Sequence, residues 1–183
     1  MSKHLKIPIH ENDHQINSLR APISIVEYGD FECPYSASAA SIINRLMDEY
    51  PNEICFIYRH YPLSGIHSFA ELAAASSEAA AKQNKFWEMY DQLFTHSEQL
   101  SERKIDFLAK AIGLNMVQFH HDQRSYHVLD KVRHNLQNGK LSGVQSTPTL
   151  FINGTQYEGA TSYVPLKEAI EKELNNSDTA FLY

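Results

Sequence analysis

The sequence predicts an α/β domain interrupted by an all-helical insert, and three observations carry that reading. A strand-like run, a helical run and a second strand-like run follow one another between residues 22 and 61. From about residue 69 to 138 the apolar spacing is helical throughout. A hairpin pattern at 149–157 and one last amphipathic stretch close the chain.

The first strand-like run, 22–31, is β-rich and ends on Gly29 and Asp30. Pro34 suits the first position of a helix, where its missing N–H is no loss. Ile42, Ile43, Leu46, Met47 and Tyr50 then recur at helical spacing until Pro51 stops them. The run 54–61 is aromatic and β-branched, a second strand. Strand, helix and strand at this length make a βαβ unit with parallel strands and a right-handed crossover.

In the insert, the alanines at 73–75 and 79–81 mark a strong helix former. Phe86, Trp87, Tyr90, Leu93 and Phe94 form the next apolar stripe. Ser101 opens a third helix that ends near Gly113, Asn115 caps a fourth and Ser125 opens a fifth. After the insert, the runs 149–152 and 155–157 flank Asn153-Gly154, a strong hairpin signal. A closing helix is expected over 164–174.

Composition limits the function classes. The chain has 183 residues, 43% hydrophobic and 21% charged, which fits a soluble globular domain. Its formal net charge of −6, with no basic stripe, argues against nucleic acid or an anionic membrane as partner. No apolar run reaches the roughly 18 residues of a membrane span. Residues 1–15 are polar, unlike a secretory signal, and read as a flexible arm. Two cysteines do not make a disulfide framework. A cytoplasmic setting is expected, a periplasmic one only if a signal has been removed.

Among the ten histidines, His4, His10 and His14 fall in that arm, and His120, His121, His127 and His134 fall in the helical stretch. No carboxylate or cysteine completes a ligand set beside them, so they read as solvated and no metal site is expected.

The chemistry centres on Cys33-Pro34-Tyr35-Ser36. A βαβ loop lies at the carboxyl end of its first strand, where α/β folds bind ligands. Cys33 is expected as the N-cap of the following helix, its sulfur facing the free N–H groups of Tyr35 and Ser36. The positive end of the helix then favours thiolate over thiol. A second element, Thr147-Pro148, enters a strand directly through proline, where a cis bond is an option.

Together, Glu27-Tyr28-Gly29-Asp30-Phe31 before Cys33-Pro34-Tyr35-Ser36, then Arg59-His60-Tyr61-Pro62-Leu63, Phe86-Trp87 and Val144-Gln145-Ser146-Thr147-Pro148-Thr149, closely resemble the DsbA-like branch of the thioredoxin superfamily. The resemblance covers nearly the whole chain. It implies a thioredoxin fold, 16–63 and 140–183, holding an all-helical insert, 64–139. By the same resemblance Pro148 is a cis-proline against the active sulfur, and Thr147 tunes the thiolate and hydrogen-bonds an extended peptide. Pro34 and Tyr35 complete the substrate-binding set, and Glu27 matches a buried proton-relay carboxylate.

The departure is Ser36, where a dithiol site carries its second cysteine. That second sulfur releases a mixed disulfide, which a hydroxyl cannot do. Cys55 is no substitute, since it sits near the start of the second strand, about 15 Å from the active edge by strand rise. The expected activity is monothiol disulfide reduction or isomerisation, with no bound cofactor and with glutathione as the second thiol. The expected partners are protein or small-molecule disulfides. Two alternatives remain: a glutathione-dependent transferase or isomerase, and a redox-silent peptide-binding module.

Overall fold

A computed structural model describes residues 3–180. A five-stranded sheet has the order β1-β3-β2-β4-β5. Its strands are β1 (His14–Ile16), β2 (Ile23–Gly29), β3 (Ile54–His60), β4 (Thr149–Ile152) and β5 (Thr155–Gln156). β2 and β3 are parallel, joined through α1 (Pro34–Glu49). The remaining pairs are antiparallel, so β4 lies beside β2 and carries residue 149 against Tyr28.

Between the two halves run α2 (Ala70–Ala81), α3 (Phe86–Thr95), a 3₁₀ turn at Ser97–Gln99, α4 (Glu102–Ala111), α5 (Met116–Gln123) and α6 (Tyr126–Leu141). Ser101, Asn115 and Ser125 each cap a helix, accepting a backbone N–H three residues on. α2 is the axle of this insert. Its alanines from 70 to 80 are buried, and small side chains let α3, α4, α5 and α6 all approach it. The closing helix α7 (Tyr163–Ala180) is longer than the expected 164–174.

Alternation along the strands divides the core in two. Ile23, Ile25, Phe56, Tyr58, Leu150 and Ile152 face α1, α3 and α7, while Val26, Tyr28, Cys55, Ile57 and Phe151 face the other way. On that second face lie Leu136 of α6 and Leu5 and Ile9 of the N-terminal segment.

Two expectations need correction. Residues 3–15 are bound to the body, unlike a flexible arm; residues 1 and 2 lie outside the described residues. The cause is Arg59, which is fully buried and must place all its donors. It grips Asp13 through two bonds, 2.9 and 2.7 Å, and donates to the carbonyls of Ile7 and Pro8 and to the Tyr28 hydroxyl. The second correction concerns the insert's end at residue 139, which falls inside α6. A glycine there looks like a break, yet the rings of Tyr61 and Tyr28 occupy the place its Cβ would take. The missing side chain lets α6 lie on the sheet, and the helix ends instead at Leu141, just before Gly143. That residue has φ +82° and is closed by Val144 N–H on Gly139 O and Gly143 N–H on Lys140 O.

Candidate active site

β2 ends at Gly29, and the chain turns through Asp30-Phe31-Glu32 into α1. Cys33 is the N-cap with extended backbone (φ −83°, ψ 119°), and Pro34 follows it into the helix. The sulfur makes no capping hydrogen bond, so its expected approach to the amides of Tyr35 and Ser36 is corrected. Its partner is the carbonyl oxygen of Thr147, 3.3 Å from Sγ. The short segment after Gly143 swings that carbonyl over the end of α1, and Cys33 is left only 4% exposed.

The Thr147–Pro148 peptide is cis. Thr147 is buried, and its hydroxyl has no hydrogen-bond partner among the described residues. Pro34 and Tyr35 lie on the outside, Tyr35 at 74% exposure.

Ser36 is fully buried one turn into α1, and its Oγ accepts the Asp30 N–H at 3.3 Å. It therefore belongs to the wall of the loop. Cys55 is buried on the opposite sheet face, beside Ser24 in register and near the Asn17 carbonyl at 3.8 Å. Five steps along the strand separate it from His60, about 17 Å. Burial pushes its thiol up to about 11. Both cysteines are free.

Glu27 has no exposure, and neither carboxylate oxygen finds a partner among the described residues. Burial raises it to about 8, so the carboxyl keeps its proton at neutral pH. Above it lies an aromatic cluster: Phe31 is 5.1 Å from Tyr58 and 4.8 Å from Phe94, and Tyr58 is 5.1 Å from Tyr90, ring to ring.

Sequence reasoning missed the groups that hold the loop. Buried Asp30 accepts the Glu32 N–H at one oxygen (2.9 Å) and, at the other, the Leu63 N–H and His67 Nδ1, both at 2.8 Å. Glu32 accepts the Phe69 N–H at 2.6 Å. Two carboxylates flanking Phe31 just before Cys-Pro were the available signal. Their partners, 33 to 37 residues away, were not readable.

The reading of His14 as solvated is also corrected. It stacks on Phe86 at 3.4 Å and reaches Glu78 at 2.8 Å, where His60 (2.9 Å) and Lys131 (3.0 Å) converge. Among the described residues, no group of three or more His, Cys, Asp or Glu is placed to hold a metal ion. Nor is any helix there long and apolar enough to cross a membrane.

A parallel βαβ unit with an N-cap cysteine, faced by an antiparallel strand entered through a cis-proline, defines a thioredoxin-type site. A family model described as thioredoxin matches residues 10–172, and the chain belongs to that family. Its fold is DsbA-like. Alpha-DsbA1 of Wolbachia pipientis superimposes with a TM-score of 0.80, covering 97% of this chain and 98% of its own at 18% identity. BdbD of Bacillus subtilis gives 0.77, covering 95% and 97% at 22% identity.

Closer in sequence is a protein named Na(+)/H(+) antiporter NhaA 1 of Mycolicibacterium gilvum, 37% identical over 163 residues. Another of that name, from Salinispora arenicola, is 33% identical over 167 residues. The match takes in 88% and 91% of this chain, but the chain spans only about a quarter of these relatives' length, 26% in each case.

Proposed function

We propose that this protein is a thiol–disulfide exchange enzyme that works through Cys33 alone. One observation carries the reading: the Cys33 sulfur lies at the N-terminus of α1, 3.3 Å from the Thr147 carbonyl, with a serine at the second-thiol position. A helix N-terminus is the end of a helix that favours negative charge. Pro34, Tyr35, Thr147 and Pro148 border the sulfur and form the substrate-facing surface, and Glu27 is the buried group that takes up or returns a proton.

In the first step the Cys33 thiolate attacks one sulfur of a substrate disulfide. A Cys33–substrate disulfide forms, and the other substrate sulfur leaves as a thiolate and takes a proton. Ser36 cannot release this intermediate, so a second thiol must. With glutathione in that role, one molecule attacks the substrate sulfur, so that Cys33 leaves as thiolate and a substrate–glutathione disulfide forms; a second attacks that disulfide, releasing the substrate thiol and oxidised glutathione. The balance is one substrate disulfide plus two glutathiones to two substrate thiols plus oxidised glutathione. A substrate's own third cysteine serves equally, and the outcome is then isomerisation. A reducing compartment such as the cytoplasm suits the first route, since glutathione is kept reduced there.

The test is intact-mass analysis after exposure to oxidised glutathione. A single adduct on Cys33, removed by reduced glutathione with turnover, is expected. An inert Cys33 would leave the chain a peptide-binding module.

A further inference from the structure

Four buried polar atoms without hydrogen-bond partners among the described residues fall in one neighbourhood: both carboxylate oxygens of Glu27 and the hydroxyls of Tyr58 and Tyr90. Glu27 and Tyr58 are register neighbours on β2 and β3 and point to the same face. Gly29 marks how close they are. A Cβ built on it would stand 2.9 Å from Glu27 Oε1 and 3.0 Å from the Tyr58 oxygen. The two oxygens are therefore within about 6 Å, a gap that one bridging water or a small rotation closes. Buried polar atoms are costly to leave unpaired, so partners among themselves or through water are the stable arrangement.

We propose that Tyr58 is a positioning residue of the thiol site: its phenol donates to Glu27 and sets the pH at which that carboxyl exchanges a proton on behalf of Cys33. This rests on the role proposed for Cys33. Tyr58 is suited to it because burial first, then the charge of Glu27, then Tyr90 and Asp30, and last Cys33 push its hydroxyl well above the usual phenol range. The phenol thus stays protonated and remains a donor. The other groups facing it are Asp30 from the loop after β2, Tyr90 from α3 and the His60 ring, 5.4 Å away. Tyr90 also feels the charge of Glu27, but Cys33 is not among the influences on it.

The experiment follows the rate of Cys33 alkylation by iodoacetamide against pH, with peptide-level mass analysis to exclude Cys55. The intact protein should show, besides thiolate formation, an inflection near the pH of about 8 at which Glu27 ionises. Tyr58→Phe keeps the ring in its packing and removes the donor to the carboxylate, so that inflection should rise by about one pH unit. Glu27→Gln should abolish it. Site-specific 3-fluorotyrosine at 58, a stronger donor with the same packing, should lower it and covers a Phe variant that fails to fold. An intact protein without the inflection, or a Tyr58→Phe profile that overlays it or moves down, overturns the inference. These outcomes are separate from glutathione turnover: a shifted profile without turnover would sink the exchange reading and leave the Tyr58 contact standing.

Discussion

Cys33 and Ser36 sit one helical turn apart, and under the proposed mechanism the difference between their two atoms, sulfur and oxygen, sets what the site can release. Ser36→Cys should change the product, since the introduced thiol replaces a buried hydroxyl of similar size. After oxidised glutathione, a bond between Cys33 and the introduced thiol should form, and the Cys33–glutathione adduct should stop accumulating. Non-reducing mass analysis after alkylation reads both, and a persistent adduct in the variant would contradict the placement of residue 36. At this scale the sequence was highly legible. Cys33, Pro34, Ser36 and Pro148 announce themselves because proline and cysteine act through local backbone geometry. Asp30 and Glu32 did not, because their partners Leu63, His67 and Phe69 come from a different loop. Tyr58 read as one more strand aromatic; only the register beside Glu27 gives its hydroxyl a meaning.

At the scale of elements, β1, β3, α2 and α6 meet at Glu78, which takes His14, His60 and Lys131 in one buried spot. Burial is the strongest influence on that carboxyl and pushes it upward, but the hydrogen bonds of the two histidines outweigh it and hold it well below its ordinary 4.5. His14 is lowered from 6.5, chiefly by burial, against the opposing bond and charge of Glu78. Both folded values lie below the unfolded ones, so in each case the unfolded chain binds the proton first. The stability these groups contribute is full above about pH 6.5, declines as His14 is protonated in the unfolded chain, and falls further below about pH 4.5 as Glu78 is titrated. Urea midpoints measured across this range should drop toward acid, and Glu78→Gln should flatten the limb below pH 4.5. An unchanged slope in the variant would show that Glu78 is not the group responsible. The helices of this region were readable from their caps and apolar spacing. β1 was not, because three half-buried residues, His-Gln-Ile, carry no period and are held by pairing with β3.

On the scale of the whole molecule, the order of elements from β2 onward was legible because each half of the sheet carries its own local signature. How the halves close was not, since that depends on Gly139 and on Arg59, whose contacts are all long-range. The N-terminal segment does more than cover the second face. Leu5 N–H bonds to Gly154 O at 2.8 Å, Gln156 N–H to Lys3 O at 2.9 Å, and His4 bridges Thr155 in antiparallel fashion. Lys6 N–H and the Lys3 ammonium reach Ser142 and Gly143. Cutting the chain after Lys6 should therefore do two things. It should loosen the segment that brings Thr147 to Cys33, read as faster alkylation of Cys33. It should also uncover β5, a two-residue strand that these residues now shield, and bare strand edges recruit other chains. The apparent mass from light scattering should rise with concentration for the truncated protein and stay constant for the full chain. That outcome would make residues 3–6 a guard against self-association, a job unrelated to the proposed sulfur chemistry but performed within a short reach of Cys33.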